Sequence, residues 1–239
     1  MSIYVLIHGA WHTGDELADV AGSIRAAGHK VHTPTLAGNR PGDPKTVTLK
    51  EAIQSAINYI NDNVLSDFVL LGHSYGGMII SGVADQMPDR IRRLIYWNAF
   101  VPADGESIDD LSPSHYVALF DEITAKDSSV MLPFPIWREA FINDADLATA
   151  ESAYNKLNPH PIRTLKDKIE LTNNLAELHI GKSYLNAQQD ISMPHSLPWH
   201  PRMSEKLGLF RLVEMQGSHE VCFTNPSLLA KKIMEAGRD

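Results

Sequence analysis

A chain of 239 residues, 44% hydrophobic and 21% charged, suffices for one globular folding unit that buries a sizeable core and encloses a ligand pocket. Its formal net charge of −8, with Lys and Arg scattered and no basic block, gives nucleic-acid phosphates nothing to bind and argues against that partner. No apolar run approaches the ~20 residues that cross a bilayer, and the single cysteine, Cys222, permits no internal disulfide, which fits a reducing cytoplasm.

The first hundred residues alternate short apolar runs with helical periodicity, the pattern of a parallel sheet covered by helices. Ile3 to Ile7 is expected as a buried strand ending at His8-Gly9; its apolar run of about six residues, with no basic segment before it, does not read as a signal peptide. A helix follows from about Asp15, with Leu17, Val20, Ala21, Ile24 and Ala27 on one face and Gly28 ending it, and Val31 to His32 is the next strand. Thr48-Leu-Lys-Glu51 is a capping-box pattern ahead of a helix whose apolar positions run from Leu49 to Val64. Phe68 to Leu71 is a strand running into Gly72-His-Ser-Tyr-Gly-Gly77, followed by a helix stopped at Pro88, and Ile91 to Trp97 is the next strand.

After Val101-Pro102 the alternation disappears until about Leu178, so residues 103–178 are expected to form a helical cap inserted into a core of residues 1–102 and 179–239. Lys182 to Asn186 and Leu209 to Val213 are expected as the last strands, and Asn225-Pro226 as the start of the closing helix.

Gly72-His73-Ser74-Tyr75-Gly76 matches the G-x-S-x-G elbow, and it has the strand before and helix after that the motif requires to lift a serine hydroxyl above a sheet. A serine needs a base, and the base needs a third group to fix its tautomer. His219 is the candidate base, on the loop after the last strand. Asp190 is the candidate acid, after the preceding strand and 29 residues before His219; Asp104 and Asp109 are alternatives. The amides of Tyr75 and Ala10 are the candidate oxyanion donors. Trp11 and Trp137 are expected to contact substrate, and Met131, Phe134 and Phe141 to share an apolar cavity, with the loop Pro194–Pro201 as a candidate rim. Cys222 reads as packing. His160, His179, His195 and His200 show no close metal-ligand spacing, so neither a metal nor an organic cofactor is expected.

In order and spacing, His8-Gly-Ala-Trp11, Gly72 to Gly77, Tyr96 to Pro102, Ala187-Gln-Gln-Asp190 and Gly217-Ser-His219 resemble small bacterial α/β-hydrolases akin to pyrethroid-hydrolysing carboxylesterases. They are also similar to the plant methyl-salicylate esterase and hydroxynitrile lyase group. The resemblance implies an α/β-hydrolase fold, a Ser74-Asp190-His219 triad, oxyanion amides at Ala10 and Tyr75, and hydrolysis of a small apolar or aromatic ester. The lyases carry threonine at the position of Gly9 and lysine at that of Glu220, which disfavours cyanohydrin cleavage. Relatives often carry aspartate at the position of Asn98, so an acid there is missing and weight falls on Asp190. The fold also hosts lyases, carbon–carbon hydrolases and cofactor-free dioxygenases, which would use the His219-Asp190 pair with Ser74 dispensable; a non-catalytic ligand-binding protein is a third alternative. A homodimer is compatible with the sequence.

Overall fold

The computed structural model describes residues 1–238. Six parallel strands form the central sheet: β1 (Ile3–Ile7), β2 (Lys30–His32), β3 (Phe68–His73), β4 (Ile91–Trp97), then, after a long insertion, β7 (Gly181–Ala187) and β8 (Arg211–Met215). Their spatial order is β2-β1-β3-β4-β7-β8, so β3 lies inside the sheet with β1 and β4 on either side.

Side chains alternate across a strand, and here both faces are covered. Tyr4, Leu6, Val69, Leu71, Ile95 and Trp97 pack on one face against α1 (Ala18–Ala26) and the closing helix α10 (Pro226–Ala236). Val5, Ile7, Phe68, Leu70, Leu94 and Tyr96 pack on the other, against α2 (Leu49–Asp62) and α3 (Gly76–Gln86). This explains why β3 reads as an unbroken apolar run.

The capping box is formed: Thr48 Oγ1 accepts from Glu51 N, and the Glu51 carboxylate accepts from Thr48 N. The first predicted helix starts as a 3-10 turn, Asp15–Leu17, and ends ahead of Gly28, whose φ of +88° is the left-handed conformation expected there.

The insertion carries α4 (Ile108–Leu111), α5 (Ser114–Ile123), strand β5 (Ser129–Val130), α6 (Phe134–Ile136) continuing into a π turn at Trp137–Phe141, α7 (Leu147–Tyr154), strand β6 (His160–Pro161) and α8 (Arg163–Lys166). An all-helical reading missed the antiparallel β5-β6 pair, whose two residues per strand are too short to leave a periodic signal. After β7 and β8 come α9 (Val221–Thr224) and α10 (Pro226–Ala236), where the Asn225 side chain accepts from Leu228 N. β8 begins two residues later than the apolar run suggested. Gly208, at φ +70°, turns the chain so that Leu209 is 91% exposed, and Arg211 is the first residue opposite β7. Among the described residues no helix is long and apolar enough to cross a membrane.

Candidate active site

At the end of β3 the chain turns sharply into α3. Ser74 sits at the turn with φ +53°, a conformation that costs a non-glycine residue roughly 1–3 kcal/mol and must be held by its surroundings. It is held at both backbone groups. Its N–H donates to Trp97 O at 3.2 Å, and its carbonyl accepts from Gly77 N at 3.0 Å and Phe100 N at 3.2 Å. Gly72 is required by proximity, because a β-carbon there would lie 2.4 Å from the Gly76 carbonyl oxygen. Ser74 is buried in the protein and lines a largely apolar pocket.

His219, on the loop between β8 and α9, has its Nδ1 2.6 Å from Asp190 Oδ2, with both side chains almost wholly buried. A carboxylate only accepts, so Nδ1 carries the proton and Nε2 presents a lone pair. Asp190 is surrounded by donors: Asn98 Nδ2 to Oδ2 at 2.6 Å, and Ser192 N and Oγ to Oδ1 at 2.9 and 2.6 Å. The indole N–H of Trp199 donates to Ser192 Oγ at 3.0 Å, and its ring stacks on the His219 ring at 5.3 Å between centroids. Burial works against the charged form of His219, but the charge and hydrogen bond of Asp190, with Glu220 adding, outweigh it and raise its pKa. The buried Nε2 makes no hydrogen bond, so the Ser74 hydroxyl does not reach it in this conformation.

His73, the second residue of the elbow, was not singled out from the sequence. Its Nε2–H donates to the His219 carbonyl at 3.0 Å while its ring stacks on Trp97 at 3.8 Å, so the elbow itself fixes the backbone of the histidine. Burial and the neighbouring His219 and His12 keep His73 neutral. Gly9 leaves room for this ring: a β-carbon there would meet His73 Nδ1 at 2.9 Å. The requirement at Gly9 is space for the elbow histidine, and no positive φ is involved.

The loop after β1 brings Ala10 and Trp11 to the same pocket as Ser74 and Tyr75. Neither the Ala10 nor the Tyr75 amide donates a hydrogen bond within the described protein. Two histidines pin the peptides on either side of Ala10. His8 Nδ1–H donates to Gly9 O at 2.8 Å, its Nε2 accepts from Leu36 N at 3.1 Å, and burial drives its pKa down to about 3. His12 Nδ1–H donates to Ala10 O at 2.6 Å.

Trp11, at φ +66°, is tied to the insertion. Its indole N–H donates to Val130 O at 3.0 Å, its carbonyl accepts from Asn158 N at 2.7 Å, and its own N–H points to His160 Nδ1 at 3.4 Å.

The pocket is narrow, with a cavity volume of about 50 Å³. Aromatic side chains dominate its wall, including Trp11, Phe100, Tyr116, Phe120, Phe141 and Trp199, and no ionisable acid or base other than tyrosine lines it. Trp137 corrects an expectation: it is fully buried, away from the pocket, donating its indole N–H to Ala150 O at 3.1 Å and packing on Tyr154 and Phe223. Phe134 likewise packs on Tyr154. Asp104 accepts from Leu171 N at 2.8 Å and Asp109 pairs with Lys166 at 3.6 Å, so neither alternative acid is engaged with His219. Among the described residues, only His73, His219 and Glu220 bring three ligand-type atoms within 4.8 Å. Nδ1 of His219 and Nε2 of His73 are engaged with Asp190 and a carbonyl, which leaves the other nitrogen of each ring.

The sequence matches the family model for the alpha/beta hydrolase family over residues 4–230. A carbendazim-hydrolyzing esterase of Nocardioides sp. strain SG-4G is 43% identical over 129 residues, 53% of this chain and 52% of that protein, so the match spans about half the length of that relative. A pyrethroid hydrolase of Sphingobium wenxiniae is 26% identical over 97% of this chain and 86% of its own length. Among solved structures, an extracellular α/β-hydrolase from a Paenibacillus species, described as sharing structural and functional homology with tobacco salicylic acid binding protein 2, superposes with a TM-score of 0.96. It is 37% identical and is covered over 100% of both chains. With a six-stranded parallel sheet, a strained serine between β3 and α3 and a match across nearly its whole length, the chain belongs to the alpha/beta hydrolase family.

Proposed function

We propose that the protein hydrolyses a small, uncharged carboxylic ester through an acyl-enzyme on Ser74. The observation that carries this reading is the buried 2.6 Å contact between Asp190 Oδ2 and His219 Nδ1, which leaves Nε2 without a partner and free to serve as base for a serine held at positive φ. In the first step Ser74 Oγ attacks the ester carbonyl carbon as its proton passes to His219 Nε2. The Ala10 and Tyr75 amides, both without an internal partner, receive the developing oxyanion. His219 then protonates the departing alkoxide as the carbon–oxygen bond breaks, and water, deprotonated by the same nitrogen, releases the acid and restores Ser74.

Residues 103–178 act as a cap in this reading, since Ile108, Ser112, Tyr116, Phe120, Phe141 and Leu165 all line the pocket. The aromatic wall favours an apolar or aromatic group, and the esterase and hydrolase relatives support ester chemistry. A second reading uses the same pair: in a cofactor-free dioxygenase or lyase on this fold, His219 and Asp190 would deprotonate a bound substrate directly, with Ser74 dispensable. Hydrolysis of a panel of neutral aryl and methyl esters by the wild type and by Ser74→Ala separates the two. The ester reading requires near-complete loss in the variant; retention of most activity contradicts it.

A further inference from the structure

Glu220 follows His219 directly and is 2% exposed, yet it has no part in the proposed hydrolysis. Its Oε2 lies 3.1 Å from Nε2 of His12, an ion pair close in distance though not aligned as a hydrogen bond. The other nitrogen of His12 donates to Ala10 O. Both nitrogens of this ring therefore face oxygens that only accept, a carbonyl and a carboxylate, and an imidazole satisfies both only when doubly protonated. His12 is 3% exposed and lies between the loop bearing the Ala10 amide and the loop bearing His219.

We infer that His12 is a positioning residue of the oxyanion loop: as an imidazolium it ties the Ala10 carbonyl on one side to Glu220, the neighbour of His219, on the other. The inference rests on the hydrolase reading for its consequence, because the peptide it holds is joined at the α-carbon of Ala10 to the amide offered to the oxyanion. When the ring loses its proton, one of its two contacts fails. Either Nδ1 ceases to donate to Ala10 O, or Nε2 turns a lone pair on a buried carboxylate.

The charged and titratable groups around His12 come from every element packed on it. Glu220 and, behind it, the Cys222 thiol approach from the histidine loop and α9, and Glu16 from the turn before α1. His8, His73, His160 and His219 act from the loop after β1, the elbow, β6 and the histidine loop. The first three histidines are neutral. Burial opposes the charge on His12, but Glu220, with Glu16 adding, outweighs it and holds the ring at about 8. The link is thus complete at neutral pH and fails as pH rises through that value.

The test uses a fluorophosphonate probe, whose attack by Ser74 also places negative charge on an oxygen facing the two amides. The second-order labelling rate is measured from about pH 5 to about pH 10 in the wild type, Glu220→Gln and His12→Asn, the last placing a non-titrating amide N–H near the position of Nδ1. The wild-type rate is expected to rise through the titration of His219 and then fall roughly tenfold above about pH 8. In Glu220→Gln the fall moves to lower pH, and in His12→Asn the falling limb disappears whatever the height of the plateau. An alkaline limb unchanged in both variants overturns the inference. The Ala10 amide resonance is followed in parallel by NMR in the wild type, which requires no activity. A shift that tracks the His12 ring titration supports the tie even if Ser74 proves unreactive and the hydrolase reading fails; an Ala10 amide indifferent to that titration overturns it.

Discussion

Asn98 and Asp190 are joined by a 2.6 Å hydrogen bond, in which Asn98 Nδ2 donates to the same oxygen, Oδ2, that faces His219 Nδ1. Asn98 sits just past β4 at φ +35°, its Oδ1 accepts from Ala187 N at 2.6 Å, and its Nδ2 also reaches Ala187 O at 3.3 Å. The side chain thus staples the ends of β4 and β7 and orients the carboxylate that follows β7. Asn98→Ala leaves the Ala187 amide buried without a partner, at a cost of about 1–3 kcal/mol in unfolding free energy, and lowers kcat roughly tenfold by freeing Asp190. Chemical denaturation and ester kinetics check the two effects separately; a variant with unchanged kcat removes Asn98 from any positioning role.

Asp190→Asn keeps the shape of the site but inverts the hydrogen bond that fixes the His219 tautomer, so kcat is expected to fall on the order of 10³–10⁴-fold. The same change lowers the pKa of His219, because Asp190 is the largest influence raising it. In the wild type the acid limb of the pH–rate profile therefore inflects above the ordinary histidine value of 6.5, and residual activity in the variant inflects at lower pH. Stability moves in the opposite sense. A folded-state value above the unfolded one contributes stability that is fully present below about pH 6.5 and lost as pH rises through the folded value. Activity profiles and urea midpoints across that range check both signs.

The relocation of Trp137 gives a specificity prediction. Trp137→Phe removes the bond to Ala150 O, costing about 1–3 kcal/mol of stability, and leaves the ranking of kcat/KM among esters unchanged. Phe141→Leu opens the pocket wall beside Trp11 and His219 and raises kcat/KM for bulkier esters relative to methyl esters. A changed ranking in Trp137→Phe would return that residue to the pocket.

His160 joins the insertion to the oxyanion loop. Its Nδ1 faces Trp11 N and Asn39 Nδ2, and its Nε2–H donates to Thr164 Oγ1 at 2.8 Å. His160→Leu strands these groups in the interior, so it is expected to cost about 1–3 kcal/mol and to lower kcat more than it raises KM. His160→Asn, which keeps an acceptor near the Nδ1 position, is expected to recover part of kcat. Equal activity in the two variants would show that Trp11 is held without His160.

The sheet and the elbow were legible because their signals are local: apolar runs of strand length, a capping box at Thr48, and a serine between small residues where β3 meets α3. Chain order, the positions after the last two strands and the family resemblance pointed to Asp190 and His219, and the structure brings those two side chains together. The supports were not legible, because each depends on contacts between residues far apart in sequence. Ser192 bridges Asp190 and Trp199 across the loop read only as a rim. His73 was hidden inside the elbow motif, and His12 and Glu220 meet 208 positions apart. Trp137 was misread because an aromatic cluster in an insertion looks the same in sequence whether it lines a cavity or packs on itself, as it does with Tyr154 and Phe223.

The central claim is that Ser74 is an activated nucleophile, and intact mass after incubation with a fluorophosphonate tests it most directly, with wild type and Ser74→Ala side by side. A single adduct on the wild type, none on the variant, and peptide mapping of the adduct to Ser74 is the predicted result. No adduct on the wild type, or equal labelling of both proteins, contradicts the account and turns attention to substrate deprotonation by His219 and Asp190.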